Sequence, residues 1–114
     1  MLCIFFKVNP DALKLIQYPD KDDITDNEPI AFVCVADRIT PLAEAFYWQV
    51  NGINITKGVS ERKRKNRDRT WRQSVSMDYK FNHADGIHQQ VKCILKPVYG
   101  DTRYEHVNLT VYCE

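Results

Sequence analysis

Ile30-Ala31-Phe32-Val33-Cys34-Val35 alternates around a cysteine, as expected of a strand with one face in a protein core. Trp48 lies fourteen residues after Cys34, and Cys93 lies fifty-nine residues after it. Alternation of apolar and polar residues recurs through the rest of the chain, and turn-forming residues interrupt it. This pattern predicts an all-β sandwich.

The other strand signals are spaced as a sandwich requires. Asn51-Gly52 is the strongest hairpin signal, because both residues tolerate a positive φ. We predict seven or eight strands in two antiparallel sheets. Besides the stretch around Cys34, the predicted strands cover residues 13–18, 46–50, 53–55, 75–81, 91–95 and 107–111.

The composition is that of one folded domain. The 114 residues carry a formal net charge of +1 with 44% hydrophobic residues, which excludes a disordered tail and a uniformly basic nucleic-acid binder. No apolar run approaches the roughly 20 residues of a membrane-spanning helix, so we expect no membrane contact by this segment. The apolar run at residues 1–6 is too short for the core of a signal peptide, and we expect no targeting signal there.

The sequence shows no catalytic or metal-binding constellation. It has no Ser/His/Asp set, and its four glycines make a phosphate-cradling loop improbable. His83, Asp85 and His88 fall in a segment that we interpret as a turn with exposed histidines. We therefore predict no enzyme activity, no cofactor and no metal ion.

The cysteines and two glycosylation sequons indicate the secretory route. The cysteines lie far apart, without the spacing of a zinc site, which favours disulfides. The sequons are Asn54-Ile55-Thr56 and Asn108-Leu109-Thr110, so Asn54 and Asn108 are the predicted glycan carriers. We expect an extracellular protein, either secreted or the ectodomain of a membrane protein.

Cys34, Trp48 and Cys93 resemble the Cys…Trp…Cys arrangement of immunoglobulin superfamily domains. The resemblance covers about residues 20–112. It implies that a Cys34–Cys93 disulfide bridges the two sheets and that Trp48 packs against it. Val91 stands where antibody-variable domains carry a tyrosine, so the chain is more similar to C2/I-type or constant-like domains of nectin-like and related adhesion receptors.

Cys3 and Cys113 need a separate explanation. In such a domain the start of the first strand and the end of the last lie at opposite ends, whereas a disulfide needs Cα atoms about 4.4–6.8 Å apart. One alternative is that residues 2–8 form an extra strand that turns back at residues 9–11 and brings Cys3 to Cys113. In the other, residues 1–17 are the remnant of a preceding domain, and both cysteines pair with neighbouring domains or another chain.

The most unusual surface feature is a run of positive charge from residue 61 to residue 69. We expect it in a solvated connection between strands, where it either has no partner or docks heparan sulfate or an acidic protein face. Nuclear import and proteolytic cleavage after Arg67 or Arg69 are weaker alternatives, and nucleic-acid binding would require interleaved aromatic residues. The candidate binding residues are Arg62, Lys63, Arg64, Lys65, Arg67 and Arg69.

Together with the family resemblance, these features predict a non-catalytic module of a cell-surface adhesion or immune-type receptor. Its expected partner is another cell-surface or secreted protein, with like-to-like binding as one form. The alternative is a secreted ligand, decoy or matrix protein that binds heparan sulfate through residues 62–69. A third reading is an intracellular I-type domain of a muscle or cytoskeletal protein, in which Cys34 and Cys93 would be free thiols.

Overall fold

The computed structural model describes residues 13–113, which contain nine strands and one short 3-10 helix. Cys3 and the proposed extra strand of residues 2–8 lie outside the described residues. The strands are β1 (Lys14–Tyr18), β2 (Asp23–Thr25), β3 (Pro29–Ile39), β4 (Ala45–Val50), β5 (Ile53–Ile55), β6 (Val59–Lys65), β7 (Trp71–Lys80), β8 (His88–Lys96) and β9 (Arg103–Tyr112), and the 3-10 helix spans His83–Asp85.

The strands form two sheets that pack face to face. One has four strands in the order β1-β3-β7-β6, and the other has five in the order β2-β9-β8-β4-β5. All pairings are antiparallel except that of β2 with β9. The predicted all-β immunoglobulin-like sandwich is confirmed. Among residues 13–113, no helix is long and apolar enough to cross a membrane.

The structure has nine strands where the sequence predicts seven or eight. The strands that the sequence does not predict are β2 and β6. The N-terminal stretch changes sheets, with β1 pairing with β3 and β2 pairing with β9. Pro19 stands at the break, where a residue without a backbone N–H cannot continue a hydrogen-bonded ladder. The other additional strand is β6, whose charged residues predict a loop, whereas β5 returns from the Asn51-Gly52 turn as predicted.

That turn has the predicted geometry. Asn51 and Gly52 have φ values of 51° and 81°, and Val50 pairs with Ile53 across the two-residue loop. Two consecutive positive φ values match the right-handed twist of the flanking strands.

Alternate residues of the long strands fill the space between the sheets. In β3, Ile30, Phe32, Cys34 and Ala36 are fully buried, and the residues between them are partly exposed. Val75 and Met77 of β7 and Leu109 and Val111 of β9 are buried in the same core. The core begins at Leu13, ahead of residues 20–112, which carry the family resemblance. Leu15, two residues later and therefore on the same side of the chain, packs against this core as well.

A disulfide joins the centres of the two sheets. Cys34 in β3 is bonded to Cys93 in β8 with a Cα–Cα distance of 6.4 Å, as the resemblance implies. Trp48 is fully buried and stands directly opposite Cys93 in the β4–β8 register. Its ring lies 5.9 Å from that of Phe32, which in turn lies 6.0 Å from Phe81. One aromatic cluster and one covalent bond therefore hold the sheets together.

We expect the variant C34A/C93A to be much less stable than the natural chain. The disulfide closes a loop with a sequence separation of 59 residues, and a constraint of that length on the unfolded chain is worth about 4 kcal/mol. Urea unfolding followed by tryptophan fluorescence, to which Trp48 and Trp71 both contribute, measures the loss. A loss below about 1 kcal/mol would contradict the view that this bond is a main source of stability.

Candidate binding surfaces

The outer face of the β1-β3-β7-β6 sheet, here called the four-stranded face, carries exposed apolar side chains. Ile16 is 53% exposed and Tyr18 is 78% exposed, although both belong to a strand of the sandwich. Ile16 pairs with Val33, and Tyr18 pairs with Ala31. Ser60 and Ser76 continue the row of Ile16 across the sheet. Ile16 and Tyr18 lie on an edge strand of the sheet, and the row of Tyr18 continues through Ala31 to the exposed Asp78.

Positive charges border this apolar area on the side nearest the β6–β7 turn. The next row across the sheet is Lys14, Val35, Ser74 and Arg62. Beyond that row, Arg64 pairs with Arg72. The four-stranded face therefore has exposed apolar side chains on its β1 edge strand and basic side chains toward the β6–β7 turn.

The structure corrects the predicted position of the basic segment. Residues 61–65 do not lie in a connection between strands but belong to β6, the edge strand of the four-stranded sheet. An edge strand has a neighbour on one side only, so its side chains can stay in water on both faces, and charge there discourages pairing with other chains. Only residues 66–70 form the connection to β7.

The six candidate basic residues do not share one face. Arg62 and Arg64 point to the outside of the sandwich, because Val59 of the same strand packs against the core. By the alternation of a strand, Lys63 and Lys65 point the other way. Lys63 Nζ lies 3.6 Å from the Glu61 carboxylate, and Lys65 Nζ lies 5.7 Å from the Trp71 ring centre. Arg67 and Arg69 are exposed in the turn.

Two carboxylates fix the conformation of the β6–β7 turn. Asn66 Nδ2 donates a hydrogen bond to Asp37 Oδ1 at 2.9 Å, and Asp37 Oδ2 lies 3.6 Å from Arg72 Nη1. Asp68 Oδ1 accepts hydrogen bonds from the backbone N–H and the hydroxyl of the buried Thr70. These contacts fix the backbone conformation of the turn that carries Arg67 and Arg69.

These hydrogen bonds and charges also determine the ionisation of the two carboxylates. The hydrogen bond from Asn66, with the Arg38 N–H and the charges of Arg72 and Arg64, holds the pKa of Asp37 below its ordinary value. The hydrogen bonds from Thr70, with the charge of Arg38, lower the pKa of Asp68.

The outer face of the other sheet, here called the five-stranded face, is polar and aromatic. Ile94 lies on this side of β8 but is only 7% exposed, since Tyr47 and Tyr104 stand beside it in the register. Lys92 Nζ lies 4.6 Å from the Tyr104 ring centre. Lys96 makes a similar contact with Tyr47 at 5.7 Å.

Both predicted glycan carriers are exposed on strands of this same sheet. Asn54 is the middle residue of β5 and pairs with Gln49. Asn108 is in β9 and pairs with Gln90. Glycosylation at either residue remains a prediction.

His83, which the sequence places in a turn, has a structural partner that sequence reasoning missed, whereas His88 is not in the turn but begins β8. Asp26, in the loop between β2 and β3, accepts hydrogen bonds from the His83 backbone N–H at 2.7 Å and from His83 Nδ1 at 2.6 Å. The backbone N–H of His83, followed by the side-chain bond, lowers the pKa of Asp26. Within residues 13–113, no side-chain hydrogen bond or ion pair links Asp85 or His88 to this pair. The pair fastens the 3-10 helix to the loop after β2.

Cys113 lies beside this pair, one residue after the end of β9. Its Sγ, a carboxylate oxygen of Asp26 and a ring nitrogen of His83 lie within 4.8 Å of one another. The Asp26 carboxylate is already engaged by His83, so the grouping is explained without an ion. β2 runs parallel to β9, so both strands end at the same end of the sandwich, where β3 begins. β1 runs toward that end as well, because its last residue, Tyr18, pairs near the start of β3. The start of β1 therefore lies at the opposite end from the end of β9, as expected. The Cys3–Cys113 disulfide stays a prediction, since Cys3 lies outside the described residues.

The two sheets, the disulfide between them and the buried tryptophan define an immunoglobulin-like domain. Solved structures that share the fold include Rst D1-D2, with a TM-score of 0.68 and 17% identity over 92% of this chain and 49% of that chain. IgNAR antibody domain C1 has a TM-score of 0.67 and 15% identity over 88% of this chain and 94% of its own. IgNAR antibody domain C3 has a TM-score of 0.62 and 12% identity over 90% of this chain and 100% of its own. This chain spans about half of the Rst D1-D2 structure. No family model and no curated protein matches the sequence.

We expect acid to destabilise the domain partly through Asp37. A carboxylate with a lowered pKa in the folded state stabilises that state above its ordinary pKa of about 3.9 and loses the contribution as the pH falls through the lowered value. The melting temperature of the natural chain should therefore decrease as the pH is lowered past about 4, and the melting temperature of D37N should decrease less. D101N, in the exposed β8–β9 loop, is the control. Identical pH profiles for D37N and the natural chain would contradict this assignment.

Proposed function

We propose that residues 1–114 form an extracellular, non-catalytic protein-binding module of a cell-surface adhesion or immune-type receptor. A protein partner docks on the four-stranded face. The observation that carries this proposal is the exposure of Ile16 and Tyr18 together on the outer face of one sheet. Exposed apolar residues grouped on one face of a folded domain are typical of interaction sites.

The composition of this face also indicates the kind of partner. Protein interfaces combine an apolar centre with a polar rim, and tyrosine and arginine are enriched among the residues that contribute most to binding. Here Tyr18 and Ile16, on the β1 edge strand, supply apolar and aromatic area, and Lys14, Arg62 and Arg64 supply basic residues toward one end of the face. The complementary partner surface is apolar opposite Ile16 and Tyr18 and acidic opposite the basic residues.

The sequence offers a matched pair of variants to test this. I16S/Y18S removes residues that are 53% and 78% exposed on the four-stranded face. The control I87S/Y99S removes the same residue types, 58% and 79% exposed, from the connections before and after β8. We expect I16S/Y18S to lower binding of a fluorescent, multimerised domain to cells of the source tissue at least about tenfold, and the control to leave it unchanged.

Flow cytometry measures the binding, and thermal unfolding shows that each variant is folded. Protease treatment of the cells should abolish binding, while heparin lyase should not. Aggregation of beads coated with the domain alone would identify a second copy as the partner. Equal loss of binding with both variant pairs would contradict a role for the four-stranded face.

The second candidate function is heparan sulfate binding, and the geometry of the basic segment favours it specifically. Arg62 and Arg64 lie on the same side of β6, about 7 Å apart by the rise of a strand. Arg67 and Arg69 follow in a turn whose backbone is fixed through Asp37 and Asp68. A row of arginines along an exposed edge can bind the sulfate groups of a linear chain. In this second function Ile16 and Tyr18 would have no role.

Heparin chromatography tests the second function. R62Q/R64Q/R67Q/R69Q should elute at lower salt than the natural chain, because each lost charge weakens an interaction that salt screens. The control K57Q/K80Q/K92Q/K96Q removes the same number of charges elsewhere and should elute later than the arginine variant. Elution of the natural chain at ordinary ionic strength, unaffected by the arginine substitutions, would remove this candidate.

A further inference from the structure

Both sequons lie on the five-stranded face, although 54 residues separate them in sequence. The buried neighbours Trp48 and Val50 turn Gln49 outward, and Asn54 stands opposite it. Leu109 is buried and turns Asn108 to the same side. In the register, Asn54, Gln49, Lys92 and His106 form one row across the sheet, and Asn108 belongs to the next row.

The two asparagines also have the same local arrangement. Gln49 Nε2 donates a hydrogen bond to Asn54 Oδ1 at 2.9 Å. Gln90 Nε2 donates to Asn108 Oδ1 at 3.2 Å. In each case a glutamine on the neighbouring strand holds the amide oxygen, and the amide nitrogen donates no hydrogen bond within residues 13–113. The nitrogen is the atom that carries the sugar, so an attached oligosaccharide disturbs no bond in this part of the chain.

We propose that Asn54 and Asn108 both carry N-linked oligosaccharides and that these close the five-stranded face to protein partners, leaving the four-stranded face as the docking surface. The modification transfers an oligosaccharide from a lipid diphosphate donor. The sugar C1–O bond to the diphosphate breaks, a bond from C1 to the asparagine Nδ2 forms, and Nδ2 loses a proton while the lipid diphosphate leaves. The choice of docking surface rests on the proposed function, whereas the closure of the other face does not.

The dimensions of the sheet explain why two glycans suffice. Asn54 and Asn108 are three strands and one row apart, which is about 16 Å at about 4.8 Å per strand and 3.4 Å per residue. The five strands hold 31 residues, which at about 4.8 by 3.4 Å each give a face of about 500 Å². A standard protein interface covers about 800 Å² per partner, which is more than this face. A partner on this face would therefore have to cover both glycan positions.

No sequon lies on the four-stranded face, because the sequence contains only the two at Asn54 and Asn108. Glycosylation therefore separates the two faces: one is covered with sugar, and the other keeps Ile16 and Tyr18 exposed. Tyr104, on the five-stranded face, is 56% exposed in the chain alone and would lie within reach of the sugars.

The test compares the chain secreted from glycosylating cells with T56A/T110A, which destroys both sequons and keeps both asparagines. Mass spectrometry after enzymatic deglycosylation in heavy-oxygen water reports occupancy at each site. The probe for access is a panel of single-domain antibodies selected from a naive library against T56A/T110A. K92E/H106E assigns epitopes on the five-stranded face, and K14E/S74E assigns those on the four-stranded face. Deglycosylated natural chain is a second sugar-free sample in case T56A/T110A folds poorly.

We expect both asparagines to be occupied. Antibodies to the five-stranded face should bind the glycosylated chain at least about tenfold more weakly than the sugar-free forms, and antibodies to the four-stranded face should bind all forms equally. An unmodified Asn54 or Asn108, or equal binding by antibodies to the five-stranded face, would overturn the proposal. These outcomes are independent of the effect of I16S/Y18S on cell binding, which tests the proposed function itself.

Discussion

The structure depends on the contact between Cys34, Cys93 and Trp48 at the centre of the sandwich. The disulfide joins one central strand of each sheet, and the indole fills the space beside it. Because side chains alternate along a strand, fixing Cys34 and Cys93 inward determines the side-chain directions in β8 and in β3 as far as Ala36, where a register shift interrupts the alternation. Residues that are paired across neighbouring strands point to the same face of a sheet, so the directions of side chains in the neighbouring strands follow from the pairing. The central contact thus determines which residues form the two outer faces.

The two outer faces differ in chemistry. The four-stranded face has small and apolar residues around Ile16, with arginines along its β6 edge. The five-stranded face has amides, aromatic rings and both sequons. Such a difference is compatible with one face for a protein partner and one for glycans. Local hydrogen bonds, such as those of Asp37 with Asn66 and of Asp26 with His83, hold the loops at the ends of the sandwich. These loops connect the strands that form the two outer faces.

Where the sequence-based predictions were wrong, the cause is tertiary. The basic segment reads as a loop because a run of like charge normally avoids regular structure, but β6 is an edge strand, and an edge tolerates charge on both faces. The strand count was low because a change of sheets within one N-terminal stretch leaves no trace in its alternation. Asp26 was missed as the partner of His83 because 57 residues separate them.

The sequence by itself determined the sandwich, the Asn51-Gly52 turn and the buried sides of the long strands, because these follow from local alternation and turn chemistry. The Cys34–Cys93 disulfide was implied by the family resemblance of Cys34, Trp48 and Cys93. The sequence also located both sequons. Only the tertiary structure decided that Asn54 and Asn108 share a face and that Ile16 and Tyr18 lie beside Val33 and Ala31. The physical reason is that alternation determines the direction of a side chain within its own strand, whereas its neighbours depend on the pairing of strands that are distant in sequence.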